Sequence, residues 1–445
     1  VFAGSFGIES AEQALADGES DSWAVLNQLG ALVDKSLVVS DGGDPPRFRL
    51  LDSPRAYALD KLAEAGEGTA IRRRHAQAML RRFQQLDDDE WVSPTRHRLE
   101  AALPDLDNLR AALDWAAGDD ANAALQVALT AASAWLWHPA GMQGEGIRRL
   151  VLARSRVDAQ TPSPSEARLH TASVFAAMPL PGEPERASAD RAIALYRQLG
   201  DRRGLYKALG AYARLTAVAR DFDACSRALA ELEALHDPAW PGYSRAAILT
   251  ARGYLDYFSG QPSAAMPSYE ALLQLVTEFG DEWAERTVLI FLEQAAQALG
   301  RYDEAVRRGR ALIGRHENVL FRGSLTMARA NLCQALTETG QLDEALEAGR
   351  QALAEGLRDG MLWITLEVFA QLAARRGRLR AAALALGSSD AAIAAHHVVR
   401  QPNEQRAYEA ALQRVRAAMP GQVHGLLAEG GQLPVEKAAA LALAE

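Results

Sequence analysis

The sequence predicts an all-α protein, a superhelix of stacked helical hairpins behind a small helical domain that carries a two-stranded β wing. Two observations carry that prediction. One turn recurs in register over more than half of the chain, and two short strand-like segments flank a Gly/Pro turn near the N-terminus.

The clearest copies of the turn are Gly300-Arg301-Tyr302-Asp303-Glu304-Ala305 and Gly340-Gln341-Leu342-Asp343-Glu344-Ala345, preceded by Gly260-Gln261-Pro262-Ser263-Ala264-Ala265. Weaker copies begin at Gly141, Gly182, Arg220 and Gly377, so that successive intervals are 41, 38, 40, 40, 40 and 37. Gly or a substitute ends a first helix in a conformation that side chains disfavour. Asp303 or Asp343 is placed to cap a second helix. An apolar or ring residue follows two positions after the turn (Phe222, Pro262, Tyr302, Leu342, Leu379), and a small one follows at five (Gly146, Ala187, Cys225, Ala265, Ala305, Ala345, Ala382). The small residue lets the two helices approach closely. Each hairpin then leaves an apolar face that its neighbour must cover, so stacking is obligatory. The pattern resembles tetratricopeptide-type repeats, whose usual length is about 34 residues. The longer helices here are more similar to the superhelical sensor domains of bacterial regulators.

Composition bounds the rest. With 445 residues, 49% hydrophobic content and a mean hydropathy of -0.15, the chain can bury a large core divided among two or three domains. No apolar run approaches the roughly 18 to 20 residues of a membrane span, and the N-terminus lacks a secretory pattern, so a cytoplasmic protein without membrane contact is expected. Cys225 and Cys333 each fall inside a helical pattern and read as buried free thiols. A net charge of -9 argues against the chain as a whole being a nucleic-acid surface.

Residues 1–75 read as a first domain. Val1-Phe2-Ala3-Gly4 reads as the tail of a helix that begins upstream, making the chain a fragment. A short helix is expected from Ser10, as its cap, to Ala16, and a stronger one from Ser22 to Asp34, with Trp23, Leu26, Leu29, Leu32 and Val33 at helical spacing. Leu37-Val38-Val39 and Arg47-Phe48-Arg49-Leu50-Leu51 read as two strands around the turn at residues 41–46. Asp52 or Ser53 then caps a helix with Pro54 in its first turn.

Val1 to Phe6, Leu32 to Val38, Arg47 to Asp52 and Arg55-Ala56-Tyr57-Ala58 together resemble the winged-helix domain of bacterial signal-transduction ATPases with numerous domains. Pro104 to Trp115 looks like that family's lead-in to its sensor repeats, and the run from Gly377 to Leu443 resembles its usual ending. The resemblance covers essentially the whole chain. It implies that the winged helix packs on an upstream nucleotide-binding domain and helps to hold an ADP-bound state, with ATP or ADP on that missing domain and no cofactor in this chain. The net charge of -4 over residues 1–75 agrees with a surface that does not read DNA. Where eukaryotic relatives carry Met-His-Asp, this chain has Leu50, Leu51 and Asp52, so no phosphate contact comes from Leu51. Asp52 reads as a helix cap, and Arg55 as one half of a surface or interdomain ion pair.

Residues 76–155 are expected to form a helical connector and the first repeat. A helix from Thr69 to Gln85 is ended by the acidic run Asp87 to Glu90, which lacks the Gly and spacing of a calcium loop. Arg72-Arg73-Arg74 fans around that helix instead of forming a stripe. Trp135 and Trp137 read as core rings. Residues 156–395 form the superhelix, interrupted at Thr161-Pro162-Ser163-Pro164 and Met178-Pro179-Leu180-Pro181-Gly182. Residues 396–445 form a helical cap, with helices over 403–418 and 435–444 covering the open end of the array.

No phosphate loop, nucleophile elbow or metal-ligand spacing is present, and His396-His397 point about 100° apart on a helix, so neither enzyme nor metal site is expected. Tyr254, Tyr257, Phe258, Trp283, Phe291 and Trp363 are the aromatic residues available to a binding groove, with core packing the default reading. The residues of any ligand or partner surface are not legible. The resemblance implies the sensor portion of an ATP-dependent bacterial transcriptional regulator, binding a protein or small-molecule signal through its repeats and touching DNA only through a domain outside this chain. The alternative is an interaction scaffold that senses no ligand.

Overall fold

In the computed structural model the described residues are 1–15, 22–118, 122–176, 183–316, 325–360, 362–396 and 399–444. Two compact units result, Val1–Ala176 with Arg191–Gly204, and Ala177–Asp190 with Leu205–Glu445.

The N-terminal unit opens with a small antiparallel sheet in the order β1-β3-β2, made of β1 (Phe6–Gly7), β2 (Val38–Ser40) and β3 (Arg47–Leu50). Phe6 pairs with Phe48, and Val38 with Leu50. The wing is therefore present with one more strand than the two expected. The opening residues are not helical, and the reason lies far along the chain. The buried Asn108 side chain accepts from the Ala3 and Gly4 amides at 2.8 and 3.2 Å and donates to the Ser5 carbonyl at 2.7 Å. Those backbone groups have no need of helical partners. Held there, Phe2 stacks on Phe6 at 4.1 Å, and both enter a core with Val25, Leu29, Val38 and Phe48.

Helices α1 (Ile8–Leu15), α2 (Ser22–Asp34) and α3 (Asp52–Glu64) complete this domain. α1 follows β1 directly, so Ser10 lies inside the helix and does not cap it; Ala16 lies outside the described residues. Asp52 is not a cap either. The cap position is Leu51, and Asp52 is the first helical residue, where its charge faces the positive end of the helix. In the turn between β2 and β3, the Asp41 carboxylate accepts from the Gly43 and Arg47 amides at 3.0 and 2.9 Å, which holds its carboxyl below the usual range.

α4 (Gly68–Asp88) runs through the first half of the acidic segment and packs on α1, α5 (Thr95–Ala102), α6 (Leu106–Ala117) and α7 (Ala123–Trp137); α8 (Gln143–Ser155) and α9 (Ser163–Ala176) pack on α7. Buried Asp105 binds Arg47 of β3 and lies 3.5 Å from Arg82 of α4, which ties the segment before α6 to the sheet. In the α7–α8 hairpin Gly141 has a φ of 74°. A Cβ on Gly146 would lie 2.6 Å from the Cβ of Trp137, so the Gly is what lets α8 close on α7. α10 (Glu183–Leu199) and α11 (Arg202–Val218) each contribute residues to both units.

The C-terminal unit stacks hairpins. α11 leads through the Arg220 turn into α12 (Phe222–Leu235), and then α13 (Ala246–Phe258) pairs with α14 (Pro262–Phe279), α15 (Glu282–Ala298) with α16 (Tyr302–His316), α17 (Thr326–Glu338) with α18 (Leu342–Asp359), and α19 (Leu366–Arg375) with α20 (Leu379–His396). Every intervening turn is left-handed at the residue anticipated: Arg220, Gly260, Gly300, Gly340 and Gly377, with φ between 60 and 83°. The hydrogen bonds repeat as well. At Gly300 they run from Gly300 N to Gln297 O at 2.9 Å and from Arg301 N to Ala296 O at 2.8 Å, and the other four turns carry the same pair. Cys225, Ala265, Ala305, Ala345 and Ala382 are all fully buried behind these turns.

Three readings of the repeat are corrected. Asp343 does not cap α18, whose cap position is Gln341, and Asp303 likewise lies inside the first turn of α16. Side-chain caps sit elsewhere: Asp221, just past the α11–α12 turn, accepts from the Ala224 amide at 3.1 Å, and Asp281, between two hairpins, accepts from the Ala284 amide at 3.0 Å. Ala187 is exposed, and Ser188 takes the buried place one residue on. The break at residues 178–182, including the turn at Gly182, lies outside the described residues.

The chain ends with α21 (Pro402–Ala418), α22 (Val423–Gly430) and α23 (Val435–Ala442). α22 and α23 pack on α20, and α22 was not anticipated. It crosses α20 at two glycines. A Cβ on Gly387 would lie 2.1 Å from the Leu427 carbonyl oxygen, and one on Gly430 would lie 2.2 Å from that of Leu384, so the two backbones touch.

Asn108→Ala removes the three hydrogen bonds that hold β1's approach and should lower the stability of the N-terminal unit by about 2 kcal/mol. A urea titration followed by the fluorescence of that unit checks this, with an unchanged midpoint as the contrary result.

Candidate functional site

α15 packs on α17 and α17 on α19, so the first helices of successive hairpins share a face. α21 lies against that face. Because α21 follows the last hairpin, covering of the open end was expected of it. α22 and α23 do that, whereas α21 turns back along the array.

The later turns of α21 pack through Ala407, Ala411, Leu412 and Val415, whereas the contact made by residues 400–406 is polar and sequence-specific. Arg400, just before α21, donates from Nε to Glu367 of α19 at 2.8 Å and from Nη2 to Ser389 and Asp390 of α20 at 2.8 and 2.7 Å. Its guanidinium lies 4.0 Å from the ring centroid of Tyr408, a favourable cation–π distance. Its carbonyl accepts from Arg220, the left-handed residue of the first turn, at 3.0 Å. Asn403 accepts through Oδ1 from the Tyr257 hydroxyl of α13 at 3.0 Å, and through its carbonyl from Gln334 of α17 at 2.9 Å. Arg406 donates to the Ala298 carbonyl at the C-terminal end of α15 at 2.8 Å, where a cation is favoured. Residues 400–406 thus reach every hairpin from α11–α12 to α19–α20.

Glu367 and Glu404 carry most of the electrostatic tension. Burial lifts the Glu367 carboxyl above the usual range, opposed by the Ser389 hydroxyl and the Arg400 guanidinium. Its second oxygen, Oε2, is buried with no hydrogen bond, as is Oε1 of Gln371 one turn further along α19. Glu404 is lifted from 4.5 to about 8 by burial first and then by the charge of Glu367, although its Oε2 accepts from the Gln401 amide at 2.8 Å. Between α15 and α16, burial likewise pushes Glu293 well above the usual range, and its carboxyl lies where a Cβ on Gly309 would be.

Of the aromatic residues singled out for a groove, Tyr254, Tyr257, Phe258 and Trp363 are buried, while Trp283 and Phe291 are half-buried. Only Tyr257 among them hydrogen bonds to the α21 segment. His396 stacks on Trp363 at 4.5 Å, and His397 lies outside the described residues. Trp137 is core, and Trp135 lies under the Arg98 guanidinium at 4.6 Å. Arg55 donates to the Phe2 carbonyl at 2.7 Å, not to a carboxylate. In the Arg72–Arg74 cluster, Arg73 reaches Asn122 and Arg74 reaches the Ala14 carbonyl at the end of α1. Burial pushes the Cys225 and Cys333 thiols up to about 11 and about 12, so both are inert. Among the described residues no group of three or more His, Cys, Asp or Glu side chains could hold a metal, and no helix is long and apolar enough to cross a membrane.

No family model matches the chain. Proteins of Mycobacterium bovis and Mycobacterium tuberculosis named as HTH-type transcriptional regulators are each 29% identical to it over 334 residues, covering 71% of this chain and 36% of theirs. The chain thus spans about a third of the length of those curated relatives. The crystal structure of a signal-transduction ATPase with numerous domains and a tetratricopeptide repeat sensor, from Pyrococcus horikoshii, superposes with a TM-score of 0.51 at 13% identity, covering 96% of this chain and 61% of that one. The family resemblance holds. With it holds the fold class, a tetratricopeptide-like all-α array behind a small winged-helix domain.

The signs of the Glu404 shift make a testable pH dependence. A carboxyl held at about 8 in the folded protein and near 4.5 in the unfolded chain binds a proton more tightly when folded. Its contribution is complete below about 4.5 and is lost as the pH rises to about 8. Glu404→Gln stays neutral, so wild type should lose stability relative to this variant by about 1 kcal/mol per pH unit between roughly pH 5 and 8. Hydrogen exchange of α21 amides reads the difference, and parallel pH profiles would contradict it.

Proposed function

We propose that this chain is the sensor and regulatory portion of an ATP-dependent bacterial transcriptional regulator. In this reading the C-terminal unit recognises a protein or small-molecule signal through the face shared by α13, α15, α17 and α19. The winged-helix domain conveys occupancy to a nucleotide switch in the part of the protein outside this chain. The observation that carries the reading is the polar character of that face. Glu367, Gln334 and Tyr257 point hydrogen-bonding groups at a single segment, whereas a face built only for stability would be apolar. The regulators among the relatives and the repeat fold of the Pyrococcus protein support it. An array of this kind presents an extended surface for partners.

The nucleotide-binding module is the partner proposed for the N-terminal unit. Large apolar side chains are exposed on α2 (Trp23, Leu26, Leu32), on the wing (Leu37, Val39) and at the start and first turns of α3 (Leu51, Tyr57). Exposed apolar surface of this extent marks a site that another domain covers. The remaining length of the mycobacterial relatives provides for such a domain.

In the intact protein, Trp23→Ala combined with Tyr57→Ala should leave the circular dichroism of this chain unchanged and raise the exchange rate of bound ADP severalfold. Unchanged exchange would remove the domain contact, and absence of any nucleotide from the intact protein would remove the switch. Partner binding that is constitutive and indifferent to nucleotide would favour a scaffold instead.

A further inference from the structure

The segment that covers the shared face does so imperfectly. Glu367 is 1% exposed, yet the Arg400 guanidinium reaches only its Oε1 and leaves Oε2 without a hydrogen bond. A guanidinium facing the carboxylate squarely would serve both oxygens, and such bidentate pairs are the stronger arrangement. Arg400 is drawn away from that geometry because its Nη2 is shared between Ser389 and Asp390. An unsatisfied buried acceptor costs roughly 1 to 3 kcal/mol, and Oε1 of Gln371 is a second one on α19. The remaining contacts read a short string in order: a guanidinium at Arg400, a helix-opening amide at Asn403 and a second guanidinium at Arg406. Pro402 and the reciprocal Gln401–Glu404 capping box pre-form the helix start that places them.

We propose that this face is a peptide-binding surface, and that residues 400–406 are a resident occupant standing in for a partner protein's segment of the same chemistry: an arginine followed three residues later by an asparagine at the start of a helix. The inference rests on the reading of the C-terminal unit as the sensor and specifies what it senses. The partner's arginine makes the two-oxygen contact with Glu367 that Arg400 does not. Residues 400–406 are the part displaced, while the later turns of α21 stay packed through Ala411, Leu412 and Val415. Occupancy by the chain's own segment sets a threshold, because an incoming peptide binds only the fraction of molecules in which that segment has lifted.

The test uses the whole chain and a fluorescently labelled synthetic peptide with the sequence of residues 396–411. Arg400→Ala with Asn403→Ala weakens the resident at its buried contacts. Pro402→Gly with Arg406→Ala weakens it at its pre-formed helix start and at an exposed contact, and leaves the receiving face untouched. Each pair should raise the affinity for the added peptide about tenfold over wild type. Adding Glu367→Gln to either pair should abolish the gain. Folded variants that bind the peptide no better than wild type would overturn the proposal. A gain that survives Glu367→Gln would overturn it too, since the peptide would then sit elsewhere. These results are separable from failure of the sensor reading. If nucleotide exchange in the intact protein still responds to deletion of the C-terminal unit while the peptide stays silent, the resident-peptide inference alone falls. If exchange ignores that deletion, the sensor reading falls.

Discussion

The structure depends on one recurring constraint, a helix that ends in a left-handed residue and a second helix that returns over it at close range. The left-handed residue lets two amides beyond the helix fold back onto its last carbonyls, as Gly300 and Arg301 do onto Gln297 and Ala296. That geometry sets the angle at which the next helix departs. The small buried residue that follows, such as Ala305 or Ala345, sets how near it comes. Arg220 shows that the conformation is what matters, since it adopts a φ of 60° despite its side chain. Where the approach is closest, only Gly is tolerated: Gly146 against Trp137, and Gly387 with Gly430 where α20 meets α22. Repeating this unit makes a shared face of first helices, and that face is the one we propose receives a partner.

Much of this architecture is local and therefore legible. The turn glycines, the small residues behind them and the β2–β3 wing lie within a few residues of the groups they bond, and their spacing can be read directly. Other features were legible but missed. Gly200, Gly280 and Gly360, with φ of 66, 77 and 69°, form a second series of turns between hairpins. Their 80-residue spacing and the aspartates after the first two, Asp201 and Asp281, were available signals. α22 escaped because it has eight residues, two of them glycines, and only its contact with α20 explains Gly430.

What could not be read from the sequence is long-range. Strand β1 exists because Asn108, about a hundred residues away, takes the backbone groups before it, and nothing in Val1 to Gly7 announces that. The motif from Pro104 to Trp115 was recognisable by resemblance, but its work of tying α6 to the sheet through Asp105 and Asn108 appears only in three dimensions. The candidate site is more extreme. Tyr257 and Asn403 are 146 positions apart, and Arg220 and Arg400 are 180 apart. Arg400-Gln401-Pro402-Asn403-Glu404 reads as an ordinary helix start, which it also is. Its second role, as the string read by five hairpins, depends on α21 turning back along the array.

That role separates α21 from the elements that stabilise the array. The hairpin helices are joined by buried alanines, leucines and rings, whereas residues 400–406 meet the face through the Arg400 guanidinium, Asn403 and the shifted carboxyl of Glu404, opposite Glu367 of α19. Ala407, Ala411, Leu412 and Val415 keep the later turns of α21 in the apolar core, so the stretch that can leave without exposing it is residues 400–406. Native-state hydrogen exchange of the whole chain across a series of low urea concentrations tests this most directly. The account predicts that amides of the first two turns of α21 exchange through an opening of lower free energy and weaker urea dependence than those of α17 and α19. Equal free energies and equal urea dependence would show that this segment opens only with the array, and would contradict the claim that it is a displaceable occupant.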